Sequence, residues 1–344
     1  MQIGSYMPTH GVFMRNENEF WLERAEPQDQ KPVAFAQLAE RQGFHSLWFP
    51  DHVTLPRQTT NVNIVNPETG RRHYPVSPSM YDALATMAGV AVATERVKLA
   101  TSVLISPYRP PLHDARQFAT VDWLSNGRVI AGVGAGWALE EFEALGLDYE
   151  RRGDQTDECI EIYKRCWTEE IVEFHGEFYD FANLSMDPKP VQKPYPPLIF
   201  GGQSRAGARR AARLCDGFYP IFSNPQVGPH DLDHFLDEIR HEADRVGKDL
   251  SQFQLIALSS CRITAPDDPW LSTGKRRPNC SGTPEMILED LAAFAEAGYS
   301  LMVFFQDCPS GTVDEFFERA QQVGEEIIPK AKEIQAGGEW MPVS

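Results

Sequence analysis

The chain of 344 residues contains 42% hydrophobic and 24% charged residues, a composition typical of a soluble globular protein with a full core. Its formal net charge is −17, and no run of basic residues is longer than Lys275–Arg277. Because nucleic-acid binding normally requires a basic face, this balance argues against a nucleic-acid partner. No apolar run reaches the length of a membrane span, and the first predicted strand starts almost at Met1, so we expect neither a membrane anchor nor a signal peptide.

Short apolar runs typical of strands buried on both faces occur eight times, and helical sequence follows nearly every one. The predicted strands are Gln2–Tyr6, Ser46–Phe49, Val97–Ile105, Arg128–Gly134, Pro197–Phe200, Gly217–Phe222, Phe253–Ser259 and Leu301–Phe305. The predicted helices are Lys31–Gly43, Ser77–Thr94, Leu112–Ser125, Asp154–Thr168, Ser204–Cys215, Asp231–Gly247, Thr283–Gly298 and Thr312–Ile334. Eight strand–helix units are the number that closes a (β/α)8 TIM barrel, and we predict this α/β fold.

Three stretches exceed what a minimal barrel needs. They are Thr54–Pro78, which could form a lid, Glu173–Pro197, which contains a predicted hairpin at Phe174–Tyr179, and Thr264–Thr283. Long loops inside compact domains tend to be functional or disordered. Because these stretches follow strand ends or lead around them, we predict one domain, 1–344, with long insertion loops at the carboxyl rim of the barrel.

The six cysteines show neither Cys-x-x-Cys nor another paired spacing. Cys159 and Cys166 are seven residues apart on one predicted helix, where packing in the core is the simplest interpretation. This usage fits a reducing compartment, so we expect a cytoplasmic protein. We expect no metal site, since two or three ligands would have to converge.

The acid–histidine pair Asp51-His52 directly follows the second predicted strand, at the end of the barrel where catalytic groups lie. A histidine at this position can accept or donate a proton near neutral pH, and a neighbouring carboxylate can orient it or raise its pKa. The alternative is a histidine that is hydrogen-bonded within a rim loop and has no catalytic role. His10 also follows a strand, the first one.

The glycine-rich run Gly132–Gly136 lies on the fourth predicted strand. Its Gly-x-Gly-x-Gly spacing differs from the dinucleotide fingerprint, which argues against a Rossmann site. Two interpretations stay open. The small residues could let the strand pack closely against its neighbours, or they could let a flat cofactor ring approach the backbone.

After the fifth predicted strand, Gly201–Ser204 leads into a helix for which Ser204 is the predicted N-cap. The amides and the dipole of such a helix start can bind a phosphate, and Arg205 could add positive charge. An ordinary capped helix is the alternative.

An ordered set of segments resembles the bacterial luciferase-like family of flavin- and F-420-dependent oxidoreductases over nearly the whole chain. These segments are Gly43–His52, Ala100–Ile105, Leu124–Arg128, Gly132–Trp137, Glu150–Asp154, Asp157–Glu158, Pro188–Pro190, Pro196–Gly202 and Asp216–Phe218. The chain is most similar to the branch that is assigned to the deazaflavin F-420. The resemblance implies a TIM barrel, a tricyclic cofactor over the carboxyl ends of the strands, and hydride chemistry at the central ring.

The resemblance also implies roles for individual positions. It places Asp51 and His52 beside the reacting ring and implies a non-proline cis peptide at Ser102-Val103 that forms a bulge behind the ring. We therefore predict His52 and Asp51 as catalytic residues. The predicted cofactor-binding residues are Asp51, Ser102, Val103, Gly134, Ala135, Gly136, Gly201, Gly202, Gln203 and Ser204.

One position departs from the pattern of the F-420-dependent sugar-phosphate dehydrogenases. Trp137 stands where those enzymes carry a catalytic glutamate, so we expect a flat, apolar substrate pocket that Phe13, Met14 and Tyr108 also line. We predict hydride transfer between F-420 or FMN and a small, largely apolar substrate in a homodimer or higher homo-oligomer. The alternatives are an FMN-dependent monooxygenase that a separate flavin reductase supplies with reduced flavin, and a barrel that binds flavin without catalysis.

Overall fold

Eight parallel strands close into a barrel in the computed structural model, which describes residues 1–15, 20–59, 70, 73–76, 78–220, 227–268, 277–335 and 337. The barrel strands are β1 (Gln2–Tyr6), β2 (Ser46–Phe49), β3 (Lys98–Thr101), β4 (Val129–Gly134), β5 (Leu198–Gly202), β6 (Gly217–Pro220), β7 (Gln254–Ile263) and β8 (Leu301–Gln306). Closure follows from the pairing of β8 with both β7 and β1, and of β4 with β5. The predicted (β/α)8 fold is confirmed.

Two predicted strands differ in extent from the observed ones. The third is interrupted: β3 ends at Thr101, Ser102 and Val103 follow, and a short strand at Leu104–Ile105 then pairs with β4. The peptide bond between Ser102 and Val103 is cis, as predicted. The sixth strand ends at Pro220, and the rest of the predicted run lies outside the described residues.

Helices connect the barrel strands on the outside. The α-helices are Pro27–Gln30, Pro32–Arg41, Ala83–Ala93, Pro111–Ser125, Leu139–Leu145, Arg152–Thr168, Arg205–Leu214, Asp233–Val246, Pro284–Glu296, Val313–Glu326 and Ile328–Ala331. Two short 3-10 helices lie at Ser106–Tyr108 and Pro229–Leu232. No helix of the described part of the chain is long and apolar enough to cross a membrane.

Two helix predictions need correction. The helix that was predicted from Ser77 starts only at Ala83, because Asp82 caps it and accepts a hydrogen bond from the amide of Ala85 at 2.8 Å. The last predicted helix is broken at Ile327, next to a second helix that has a proline in its first turn. The helix Leu139–Leu145 was not predicted at all.

The insertions contribute two antiparallel hairpins. One was predicted around Phe174–Tyr179 and is present as strands Val172–His175 and Asp180–Leu184. The other, Val12–Arg15 with Phe20–Glu23, follows β1 and was not predicted. Large parts of the predicted insertions after β2 and β7, residues 60–69 and 269–276, lie outside the described residues.

The barrel has an inner and an outer layer of apolar side chains. Along β8, Leu301, Val303 and Phe305 belong to the inner cluster, whereas Met302 and Phe304 pack outward against the helices. This alternation is what a closed sheet with a filled interior requires. Trp48 of β2 and Tyr219 of β6 meet inside the barrel, with ring centroids 4.7 Å apart, so the interior is filled below the carboxyl rim.

Candidate functional site

His52 lies at the carboxyl end of β2 and is held by a carboxylate that is distant in sequence. Its Nδ1 atom is 2.7 Å from Oε2 of Glu141, on the helix that follows β4. The Glu141 side chain is fully buried, and that of His52 is 8% exposed. Parallel strands place both groups at the same end of the barrel, although 89 residues separate them.

Glu141 accepts three more hydrogen bonds. Its Oε1 atom accepts from the amides of Val53 at 2.8 Å and Thr54 at 3.0 Å, and its Oε2 atom accepts from the hydroxyl of Tyr108 at 3.0 Å. Burial by itself would raise the pKa of Glu141, but the hydrogen bond and charge of His52, the Thr54 amide and the Tyr108 hydroxyl hold it below its usual value. The carboxylate is therefore ionised.

The Asp51 carboxylate contacts Arg109 and Ile105 and not the ring of His52, so it does not orient the imidazole; its predicted role in catalysis and cofactor binding stays a prediction. The Asp51 carboxylate forms a bidentate ion pair with Arg109, with distances of 2.6 and 2.8 Å, and accepts the amide of Ile105 at 3.0 Å. The side chains of adjacent residues at a strand end point to opposite sides. Asp51 therefore faces the segment after β3, whereas His52 faces Glu141. Asp51 fixes the end of the strand.

Two aromatic rings flank the imidazole of His52. The ring of Trp137 crosses it edge to face at a centroid distance of 5.4 Å, and that of Tyr74 does so at 5.5 Å. The centroids of Trp137 and Tyr74 are 5.9 Å apart. These contacts place the predicted substrate residue Trp137 beside the predicted catalytic histidine.

The remaining predicted substrate residues are distributed over two places. Tyr108 is buried and contacts Glu141 rather than the open rim. Phe13 packs against Tyr6 and Phe305 at centroid distances of 5.4 and 4.4 Å, beside the end of β8. Met14, the next residue on that strand, lies on the opposite face near Gly311 and away from these rings.

His10 is a second buried histidine at this end of the barrel. It is 1% exposed, its ring contacts those of Tyr6 and Phe13, and its Nδ1 atom has no hydrogen-bond partner among the described residues. Burial, and secondarily the charge of His52, lowers the pKa of His10 to about 3. His10 is therefore neutral at physiological pH, and its free ring nitrogen can serve a bound molecule.

The glycines of the run Gly132–Gly136, at the end of β4 and just after it, have a packing role in the structure. A Cβ atom at Gly132 would lie 1.9 Å from the carbonyl oxygen of Thr101, and one at Gly134 would lie 2.6 Å from Cγ2 of Val103. A Cβ atom at Gly136, which also has a positive φ of 80°, would lie 2.8 Å from Ile105. Of the two interpretations, close packing accounts for all three positions, while cofactor contact stays a prediction.

The helix after β5 starts as predicted. The Ser204 hydroxyl accepts a hydrogen bond from the amide of Gly207 at 3.0 Å. A Cβ atom added at Gly202 would make only an ordinary van der Waals contact, with Phe200 at 3.4 Å. The amides of the first helical residues have no acceptor within the helix, and Gln203, Ser204 and Arg205 are exposed. Arg205 also forms an ion pair with Glu238 at 3.1 Å.

These residues have the chemistry to hold the flavin or deazaflavin that the resemblance implies. Open amides and a helix dipole after β5 could bind a phosphate, and the backbone at Ser102-Val103 and the unpartnered nitrogen of His10 could contact a ring. In the described residues, no group of three or more His, Cys, Asp or Glu side chains could hold a metal ion.

The sequence analysis missed Glu141 and Tyr74. Glu141 lies on a helix of seven residues, too short for a clear periodic pattern, although Leu139, Phe142 and Leu145 are spaced three apart and Gly146 ends the helix. Tyr74 belongs to an insertion with no periodicity of its own. A buried carboxylate that contacts a strand-end histidine can be recognised only when the two chain segments are seen together.

A closed barrel with a histidine–carboxylate pair at its carboxyl rim is the arrangement of a (β/α)8 barrel enzyme. The family model described as luciferase-like monooxygenase matches residues 7–272, and the chain belongs to this family. The relatives of this chain include an FMNH(2)-dependent monooxygenase.

Three relatives illustrate the similarity. An uncharacterised protein of Mycobacterium tuberculosis is 30% identical over 272 residues, which cover 77% of this chain and 91% of that protein. An FMNH(2)-dependent dimethylsulfone monooxygenase of Pseudomonas putida is 34% identical over 144 residues, 41% of this chain and 39% of the relative. The structure of an F420-dependent secondary alcohol dehydrogenase superposes with a TM-score of 0.67 at 22% identity and covers 92% of this chain and 97% of that one.

Proposed function

We propose that this chain is an oxidoreductase that exchanges a hydride between F-420 or FMN and a small, largely apolar organic substrate. The observation that carries the proposal is the pair of His52 and Glu141, which lies beside Trp137 at the carboxyl rim. In barrels of this type, catalytic groups occupy this rim. A proton-transfer group that is held rigidly at the mouth is what a coupled transfer of hydride and proton needs.

The cofactor would lie across the rim between the bulge and the helix after β5. Ser204 and the first helical amides would bind its phosphate, and the backbone at Ser102-Val103, Ala135 and Gly201 would support its ring. When bound, it supplies the acceptor or donor of the hydride. Asp51 would only hold the end of β2 in place and would not contact the reacting groups, because its carboxylate is paired with Arg109.

His52 would transfer the proton. In the oxidation of an alcohol to a carbonyl compound, the imidazole would take the hydroxyl proton, and the cofactor, when bound, would supply the acceptor for the hydride of the C–H bond. In the reverse direction the imidazolium returns the proton to the oxygen. Atoms and charge balance in both directions without a metal ion.

The substrate would lie beside the indole of Trp137. An indole offers one N–H donor and does not titrate, so this side of the site suits an apolar, aromatic or alicyclic group. Since this indole stands where the F-420-dependent sugar-phosphate dehydrogenases carry a titratable glutamate, we expect a phosphorylated sugar to be a poor substrate.

The second candidate is a monooxygenase that uses reduced FMN and oxygen and is supplied by a separate flavin reductase. The specific observation in its favour is the similarity to the dimethylsulfone monooxygenase, which extends over 144 residues. Both candidates need the same phosphate and ring contacts, so the cofactor itself has to be tested.

The test is a titration of the purified protein with FMN and with F-420, followed by absorbance and fluorescence. We expect one cofactor to bind with micromolar or better affinity, about −8 kcal/mol. Consumption of oxygen with reduced FMN would support the monooxygenase, whereas reduction of F-420 by an alcohol would support hydride transfer. If neither cofactor binds while NADPH alone does, the proposal fails at its main point.

A further inference from the structure

We propose that Glu141 is a positioning residue that fixes the neutral tautomer of His52, with the proton on Nδ1, so that Nε2 is the atom that exchanges protons with the substrate. The assignment of the tautomer stands on the contacts of Glu141 alone. Its catalytic consequence rests on the proposed function, in which His52 transfers a proton.

The first step concerns what Glu141 can do as a partner. Its carboxylate receives hydrogen bonds from the amides of Val53 and Thr54, which can only donate, and from the hydroxyl of Tyr108. It is fully buried, and the two amides that donate to its Oε1 atom favour the ionised form. An ionised carboxylate only accepts hydrogen bonds, so the nitrogen at 2.7 Å must be the donor.

The second step concerns the other ring nitrogen. In a neutral imidazole one nitrogen carries the proton and the other has a lone pair. Since Nδ1 donates to Glu141, Nε2 of His52 has the lone pair and can accept a proton. The edge-to-face contacts of the ring with Trp137 and Tyr74 fix its plane, so the direction of the lone pair is fixed as well.

The third step explains why one side chain also affects the rim. Glu141 connects the helix Leu139–Leu145, which follows β4, with residues 52–54, which follow β2. The same carboxylate therefore sets the tautomer of His52 and holds the start of the insertion after β2. A substitution that keeps the second contact and reverses the first separates these two effects.

Glu141→Gln is such a substitution. Its amide oxygen can still accept the hydrogen bonds from Val53 and Thr54, whereas its NH2 group can only donate to Nδ1 of His52. The imidazole must then carry its proton on Nε2, so the nitrogen that faces the substrate can no longer accept a proton. Glu143→Gln is the matched control, because Glu143 lies on the same helix and is exposed.

The experiment is ¹⁵N NMR of the histidine side chains in protein that carries labelled histidine, with the signals of His52 assigned by their loss in His52→Ala. We expect the Nδ1–H tautomer in the wild type and in Glu143→Gln, and the Nε2–H tautomer in Glu141→Gln. An Nε2–H tautomer in the wild type would overturn the inference, even if Glu141→Gln failed to fold.

Kinetics provide the second readout. We expect Glu141→Gln to lower kcat by roughly 10–100-fold with little change in KM, and to move the acidic limb of the pH profile to lower pH, since an adjacent negative charge is lost. Equal profiles of Glu141→Gln and the wild type would overturn the positioning role. If the tautomers are as expected but His52→Ala retains full turnover, the proposed function fails and the tautomer assignment stands.

Discussion

Gly132→Ala tests whether the glycines of β4 are required by packing. The added Cβ atom would lie 1.9 Å from the carbonyl oxygen of Thr101, a backbone atom of the neighbouring strand β3. Real Cβ contacts essentially never fall below 3.0 Å, so the two strands would have to separate by at least 1.1 Å, the difference between 3.0 and 1.9 Å. Both strands are paired on each side, which leaves little freedom for such a shift.

The expected loss of stability follows from this geometry. Overpacking a core typically costs about 1–3 kcal/mol, and occasionally more when the backbone has to move. We therefore expect Gly132→Ala to lower the free energy of unfolding by about 3 kcal/mol or more. The shift would also strain the hydrogen bond from the Thr101 hydroxyl to the Gly132 carbonyl, which is 2.5 Å long.

The measurement is urea unfolding followed by circular dichroism, with Gly89→Ala as the control. Gly89 lies in the exposed part of the helix Ala83–Ala93, and a Cβ atom there would meet nothing within 4 Å. Alanine in a helix should stabilise the protein by roughly 0.5–1 kcal/mol relative to glycine. An unchanged unfolding midpoint for Gly132→Ala would refute the packing explanation.

Gly134→Ala extends the same reasoning to the cofactor. Its Cβ atom would lie 2.6 Å from a methyl group of Val103, so we expect a smaller loss of stability, about 1–3 kcal/mol, together with displacement of the bulge. A variant with wild-type stability that no longer binds either cofactor would instead support the interpretation that Gly134 is small to let the ring approach.

Four further predictions follow from the contacts at the rim and in the core. Asp51→Asn should lower the free energy of unfolding by about 1–3 kcal/mol in urea titrations, because the partly buried Arg109 would lose its bidentate partner and keep only the longer contact with Asp82 at 3.6 Å. His52→Ala should lower turnover by roughly 10²–10⁴-fold while cofactor affinity changes less in fluorescence titrations; unchanged turnover would leave His52 a structural role. The wild type should not oxidise glucose 6-phosphate with F-420, and this activity is compared with that of Trp137→Glu. Robust oxidation by the wild type would refute the prediction that the substrate pocket around Trp137 is apolar. Burial raises the pKa of Asp114 from 3.8 to about 7, so the folded state binds this proton more tightly than the unfolded state does. The free energy of unfolding should therefore fall as the pH rises between these two values. Asp114→Asn should flatten this pH dependence in thermal unfolding.

Most of the barrel could be predicted because its strands are continuous apolar runs that glycine and proline delimit. The prediction was wrong where tertiary contacts override such runs. The mostly apolar run Val97–Ile105 reads as one strand, yet it is broken at Ser102-Val103 as it passes β4. The helix expected from Ser77 begins six residues later, since the cap is Asp82.

The sequence was enough to predict where the candidate site lies, but not which of its side chains contact each other. Following strand ends in a barrel was enough to find His52, Trp137 and Ser204, because each directly follows a strand or begins the next helix. The partner of His52 could not be found this way. A carboxylate beside it in sequence is the obvious partner, and no pattern in one sequence shows that Glu141 is the one that it contacts.

The two acids at this end of the barrel have different tasks because of how a strand ends. Asp51 and His52 are adjacent, and their side chains point to opposite sides. Asp51 therefore stabilises the barrel structure, whereas His52 belongs to the candidate site. Asp51 attaches the end of β2 to Arg109 and to the amide of Ile105, beyond the bulge after β3, while Glu141 attaches His52 to the helix after β4. The imidazole is thus held through its backbone on one side and through its ring on the other. Loss of either carboxylate should displace it, but only loss of Glu141 should change which nitrogen carries the proton.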